Sequence, residues 1–105
     1  MDNWNIVSEH GNPQEEGVYD VVLIYHGWDK VQQKPTDELF ADCDSRWFGP
    51  AGSGWEMKGQ PKEGLVWHEE TGSSPDEQVY AWLPRRVPHG LKLPDGVKWF
   101  GEKEG

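Results

Sequence analysis

The run from Gly17 to His26 (Gly-Val-Tyr-Asp-Val-Val-Leu-Ile-Tyr-His) constrains the fold more than any other stretch of the chain. β-Branched and aromatic residues dominate it, as they do in strands. Alternation places Tyr19, Val21, Leu23 and Tyr25 on one face and Val18, Asp20, Val22, Ile24 and His26 on the other. Both faces are mostly apolar, so the run predicts a central strand covered on both sides. A helix would cost its β-branched residues side-chain freedom.

Shorter strand signals surround this run. Residues 39–48 alternate, with Leu39, Ala41, Cys43, Ser45 and Trp47 on a face expected to point inward. Asp42, Asp44 and Arg46 take the other face, and Phe40 and Phe48 stand at the ends. Residues 3–7 read as a short first strand or an extended arm. Residues 55–58, 65–69 and 77–83 read as further short strands. Gly- and Pro-rich turns separate them at 8–17, 49–54, 59–64 and 71–76. Pro35 argues against a helix running through 28–38, although a short one there stays open. The pattern predicts an α+β or mostly β chain. It is one small domain around a curved antiparallel sheet of about five strands, with at most one short helix.

A chain of 105 residues suits one domain. Residues 1–88 are expected to form it, with 89–105 an extended C-terminal tail packed along it. The hydrophobic fraction of 34% is low, but seven Trp compensate, since each aromatic buries a large area. Trp4, Trp47, Trp67, Trp82 and Tyr19 are the expected aromatic core. Trp28 and Trp55 lie beside glycines and turns, and Trp99 precedes Phe100 in the tail. Any of the three left exposed would be an anchor for a partner, because Trp is enriched at interface hot spots.

Charge narrows the function classes. The formal net charge is −9, and residues 1–84 hold 16 acidic against 5 basic side chains, a net of −11. Such a body repels nucleic acid and anionic membrane and favours a basic partner, or serves solubility alone. Base-stacking readers need a basic groove, which is missing here. The single cysteine, Cys43, permits no internal disulfide. The N-terminus has no basic start followed by an apolar run, and no stretch approaches a membrane span. Together these predict a cytoplasmic protein.

Val79-Tyr80-Ala81-Trp82-Leu83-Pro84, followed by Pro88, resembles the closing signature of small phage and prophage proteins that have no assigned activity. Trp4, Pro13 and Gly17-Val18-Tyr19-Asp20-Val21 resemble their opening. Residues 4–25 and 79–88 carry the resemblance. The middle, with Trp47, Trp55 and Trp67, is a longer and more acidic insert, and Arg85-Arg86 stands where a proline-rich ending is common. The resemblance implies a small α+β or mostly β protein encoded by a phage or mobile element. It also implies a host cytoplasmic setting and a host factor as partner.

Motifs for chemistry fail on inspection. His68-Glu69-Glu70-Thr71-Gly72 begins like a zinc-protease helix, but Gly72 replaces the second histidine and no helix is expected. His68 is instead expected at the surface, at a strand end. Gly49-Pro50-Ala51-Gly52-Ser53-Gly54 lacks the Lys-Ser/Thr of a phosphate loop and reads as a turn. Cys43 lies between two carboxylates that oppose thiolate formation, and its face suggests burial as a small apolar side chain. No catalytic residue, metal ligand or cofactor is predicted.

The leading expectation is a non-enzymatic accessory protein that binds and inhibits a host protein. Its acidic face would comprise Glu15, Glu16, Asp37, Glu38, Asp42, Asp44, Glu69, Glu70, Asp76 and Glu77. One version replaces nucleic-acid phosphates with carboxylates to block a defence nuclease, as an anti-CRISPR protein would. A second expectation is a small-ligand binder with a Trp-lined pocket, in which Arg85 and Arg86 hold an anionic group. A third is a structural or virion component.

Overall fold

The computed structural model describes residues 3–85 and 90–98. Five strands form one sheet: β1 (Asn5–Ile6), β2 (Gly17–Asp29), β3 (Lys34–Pro50), β4 (Leu65–Trp67) and β5 (Gln78–Pro84). Their order is β1-β5-β2-β3-β4, and every pairing is antiparallel. One four-residue helix, α1 (Val7–His10), follows β1. The described residues are therefore mostly β with a single short helix. That helix lies at 7–10 and not in 28–38, which forms the closed end of a long β2–β3 hairpin. Asp29 organises this end: its Oδ1 accepts from the backbone N–H of Val31 (2.9 Å) and of Gln32 (3.1 Å).

β2 is the middle strand. Its front face builds the core, where Val21 and Leu23 are buried with Phe48, Met57 and Trp67. Fully burying a side chain such as Phe48 contributes roughly 1.5–3 kcal/mol. Tyr19 stands edge-on to Phe48, Trp67 and Trp82, with centroids 6.5, 5.9 and 5.4 Å away. The tyrosine hydroxyl donates to the Glu15 carbonyl at 2.7 Å. Two indoles tether the preceding loop: Trp67 Nε1 donates to Asn12 Oδ1, and Trp82 Nε1 donates to the Gly11 carbonyl, both at 2.9 Å. On the back face Val18, Asp20, Val22 and Ile24 are only half-buried, so β2 is closely covered on the front alone.

The inward face of β3 is the reverse of the sequence expectation. Gly17↔Phe48, Tyr19↔Arg46 and Val21↔Asp44 are register partners, so the even-numbered residues share the front with the core. Phe48 and Arg46 are buried, whereas Leu39, Ala41 and Cys43 are exposed. A period of two makes this an all-or-none choice for the strand. Phe48 settles it by packing on Trp67, with ring centroids 4.7 Å apart. Cys43 is thus an exposed free thiol and not a buried one.

The expected strand at 55–58 reduces to one bridge, Glu56↔His68, although Met57 beside it plugs the core. Of the expected core aromatics, Trp67 is buried, Tyr19 and Trp82 pack against the core, and Trp47 and Trp4 are half-buried. His68 is 4% exposed and not a surface residue. The ring of Trp47 lies across it, with centroids 4.4 Å apart. Arg86, Trp99 and Phe100 lie outside the described residues, as does much of the expected tail. Within 90–98 the described feature is a turn in which the Val97 N–H donates to the Pro94 carbonyl.

Candidate functional site

Three regions gather the polar and aromatic side chains. The first surrounds Arg46 on the front face. Its Nε donates to Glu77 Oε1 (3.0 Å) and its Nη2 to Glu77 Oε2 (3.1 Å). Nη1 lies 2.9 Å from Asp44 Oδ2 and 3.6 Å from Glu70 Oε2, and Nη2 also donates to Ser73 Oγ. One buried guanidinium thus neutralises part of a three-carboxylate cluster. Burial opposes the charge on Arg46, but its hydrogen bonds to Glu77 and Asp44 outweigh that and raise its pKa. Burial alone would also raise the Asp44 carboxyl. Hydrogen bonds from the Ser45 N–H and from Arg46 instead hold it below the usual carboxylate range.

The second region is the end of the β2–β3 hairpin. β5 pairs with β2 only over Tyr19–Ile24, and β4 pairs with β3 only over Phe48–Pro50. Among the described residues, the hairpin beyond them is a two-stranded ribbon, and the molecule is elongated, 49 × 32 × 29 Å. Trp28 (51% exposed), Val31, Leu39 and Phe40 are open to solvent there. A bulge at Gly27 lets Phe40 lie over the backbone, where a Cβ would stand 2.9 Å from the ring. Phe40 also packs against Tyr25, with centroids 6.2 Å apart. Beside the ribbon is a groove of about 580 Å³ lined by Ile24, Leu39, Asp37 and Lys58, among others. At its wall Asp76 Oδ2 accepts from the His26 backbone N–H (3.1 Å) and meets Nδ1 at 2.6 Å. Burial opposes the Asp76 charge, but these bonds hold its carboxyl below the usual range.

The third region is a row across four strands on the back of the sheet. Val18 pairs with Trp47. Tyr19↔Pro84 brings Arg85 into line beyond Val18, and Phe48↔Trp67 brings His68 opposite Trp47. The His68 N–H donates to the Trp47 carbonyl at 3.0 Å. The Gly54-Trp55 turn borders the row, positioned by the Glu69 N–H donating to the Trp55 carbonyl at 2.7 Å. The result is a pocket of about 320 Å³ whose lining includes Trp47, Trp55, His68, Glu69, Glu70 and Arg85. The His68 Nδ1 lies 3.1 Å from the Val66 carbonyl, and its Nε2 is buried without a hydrogen-bond partner.

No family model matches the chain, and neither curated proteins nor solved structures show significant similarity to it.

The ten carboxylates expected to form one acidic face do not form one. Glu77 is buried against Arg46. Asp44 and Glu70 turn to the same guanidinium, and Asp76 turns to His26. Asp42 accepts from the Cys43 N–H at 2.8 Å. Glu69 lines the back pocket. Asp37 and Glu38 lie on the ribbon, and Glu15 and Glu16 on the loop before β2. Trp28 and Trp55, two of the three candidate anchors, are exposed. Among the described residues, no group of three His, Cys, Asp or Glu side chains has metal-binding geometry, and no helix is long and apolar enough to cross a membrane. Sequence reasoning missed His68 and Trp47 as site residues, because only the β3–β4 register brings them together.

Proposed function

We propose that the protein is a non-enzymatic binding protein whose β2–β3 ribbon docks on a basic surface of a partner protein. The observation that supports this is the exposure of Trp28, Val31, Leu39 and Phe40 on a ribbon that also carries Asp29, Asp37 and Glu38. Aromatic side chains supply most of the energy in many interfaces, and flanking charge sets orientation and association rate. Lys30 and Lys34 temper the ribbon's charge, but the whole chain at −9 still favours a basic partner. The resemblance to phage proteins supports a host protein as the partner and a host cytoplasm as the setting. The nucleic-acid-mimic version has less support. Four of its ten carboxylates are engaged by Arg46 and His26 and are not arrayed for a partner.

The test is capture from host lysate with the wild-type protein and with Trp28→Ser/Phe40→Ser, washed at low and high salt. A basic protein retained by the wild type and lost from the variant supports ribbon docking. Equal capture by a variant whose circular dichroism is unchanged would overturn it. The small-ligand reading rests on a separate observation, the back-face pocket.

A further inference from the structure

The pocket behind the sheet has a chemical bias of its own. His68 is 4% exposed, and its Nδ1 faces the Val66 carbonyl at 3.1 Å. A carbonyl oxygen only accepts, so the ring proton lies on Nδ1 in the neutral imidazole. Nε2 then presents a lone pair and needs a donor, and none is present. An unmade hydrogen bond at a buried atom is costly and rare, so such an atom points to something that completes it. Gly54 lies against the edge of the ring. A Cβ at position 54 would stand 3.1 Å from Cδ2 and 3.7 Å from Nε2.

The remaining lining specifies the donor. Trp47 lies across His68, and Trp55 is 67% exposed at the pocket mouth. Indole faces attract cations and stack on planar groups. Glu69 lines the pocket beside Arg85, whereas the Glu70 carboxylate is turned to Arg46. An open acceptor on His68, a carboxylate on Glu69 and two indoles suit a donor-rich group better than the anionic ligand that Arg85 suggested in the sequence. The lining therefore suits a group that is cationic, flat and rich in N–H donors.

We infer that the Trp47–His68 pocket binds a guanidinium group carried on an alkyl stem. The group stacks against the exposed Trp55 indole beside Trp47, donates to His68 Nε2 and faces the carboxylate of Glu69. A guanidinium offers five donors in one plane, which an ammonium does not. The volume of about 320 Å³ lies within the range of small-ligand sites. The pocket lies at the opposite end of β2 from the ribbon, so the inference stands or falls independently of ribbon docking.

The experiment is a calorimetric and tryptophan-fluorescence titration of the full chain. Probes are ethylguanidine, the tripeptide acetyl-Gly-Arg-Gly-amide, its citrulline counterpart and its lysine counterpart. The expected result is saturable binding of the arginine peptide at least about tenfold tighter than the citrulline one, the scale of losing a charge-assisted hydrogen bond. Ethylguanidine binding as tightly per site identifies a free guanidinium compound as sufficient. Preference for the peptide identifies an arginine side chain of a protein. His68→Phe keeps a ring over Trp47 but removes the acceptor, and it should weaken binding by a similar factor. Trp55→Ala is an exposed change that keeps the test decisive should His68→Phe not fold. No saturable binding, equal binding of the citrulline and arginine peptides, or indifference to both substitutions would overturn the inference.

Discussion

Arg46 and Glu77 meet through two parallel hydrogen bonds across 31 positions of sequence, with both side chains at most 4% exposed. The pair ties the C-terminal part of β3 to the loop that leads into β5, at the rim of the aromatic core. Removing one partner of a buried pair leaves an uncompensated charge and costs about 3–5 kcal/mol. The two removals should differ. Arg46→Ala strands Glu77 and also releases Asp44 and Glu70. Glu77→Ala leaves Arg46 with those two carboxylates. Arg46→Ala is therefore the more damaging, a large share of the roughly 5–15 kcal/mol that holds a domain together. Arg46→Met/Glu77→Leu should recover most of the loss, since an apolar replacement of similar volume is often neutral. Urea denaturation of the three variants checks the order. Equal losses in the two single variants would contradict it.

Acid should loosen the Asp44–Arg46 and Asp76–His26 contacts. The Asp44 and Asp76 carboxyls both sit below their ordinary value of 3.8 in the folded chain. For such groups the stabilisation is fully present above the unfolded value and is lost as pH falls through the folded one. Stability from these two contacts is thus flat above about pH 5 and declines below about pH 4. Both groups are partly open to solvent, so the effect is modest at high salt. Asp44→Asn/Asp76→Asn should lower stability at pH 7 and flatten the decline between pH 5 and pH 2, read by denaturant midpoints at each pH. An unchanged acid slope would contradict the assignment.

Fold class was legible because the 17–26 run has one reading under strand sterics, and Gly and Pro mark its neighbours. The phase of β3 was not. Leu39, Ala41 and Cys43 look like an inner face, while Asp42, Asp44 and Arg46 look solvated. Only the long-range partner Glu77 makes Arg46 a buried residue, and local alternation carries no information about it. The same limit hid the pocket. Trp47 and His68 are 21 positions apart, and their stacking follows from a register that begins at Phe48↔Trp67. Trp28 and Trp55 were legible as candidate anchors from the glycines and turns beside them, and the structure leaves both exposed.

Asp42 and Asp44 have a duty that net charge conceals. β3 has no strand neighbour on its outer edge over most of its length among the described residues. There the Cys43 N–H donates to Asp42 Oδ1 and the Ser45 N–H to Asp44 Oδ1, both at 2.8 Å. Exposed edge donors recruit other chains, and filling them with a local carboxylate blunts that edge. In a Cys43→Ser background, which removes disulfide-linked dimers, Asp42→Ala should increase self-association with concentration. Asp42→Asn keeps an acceptor at Oδ1 and should stay close to the parent. Sedimentation velocity over a hundredfold concentration range reads both. Self-association of Asp42→Asn equal to that of Asp42→Ala would assign the effect to charge and not to the capped donor.

Gly49 carries the last expectation, because it joins the core to the back-face pocket. It is buried next to Phe48, and a Cβ there would stand 2.3 Å from two atoms of the Trp47 ring. The indole therefore lies directly over the glycine and is held against His68 by that contact. Gly49→Ala cannot be absorbed at this distance without moving the ring. Overpacking of this kind costs about 1–3 kcal/mol, and here it also displaces Trp47 from the imidazole. Gly52→Ala is a useful contrast, since its Cβ would meet nothing within 4 Å and only its φ of 84° opposes the change. Gly49→Ala should lower the unfolding midpoint and shift the tryptophan emission of the native state. Gly52→Ala should affect stability alone, through backbone strain of about 1–2 kcal/mol. A native emission spectrum unchanged in Gly49→Ala would mean that Trp47 does not depend on position 49 for its place over His68.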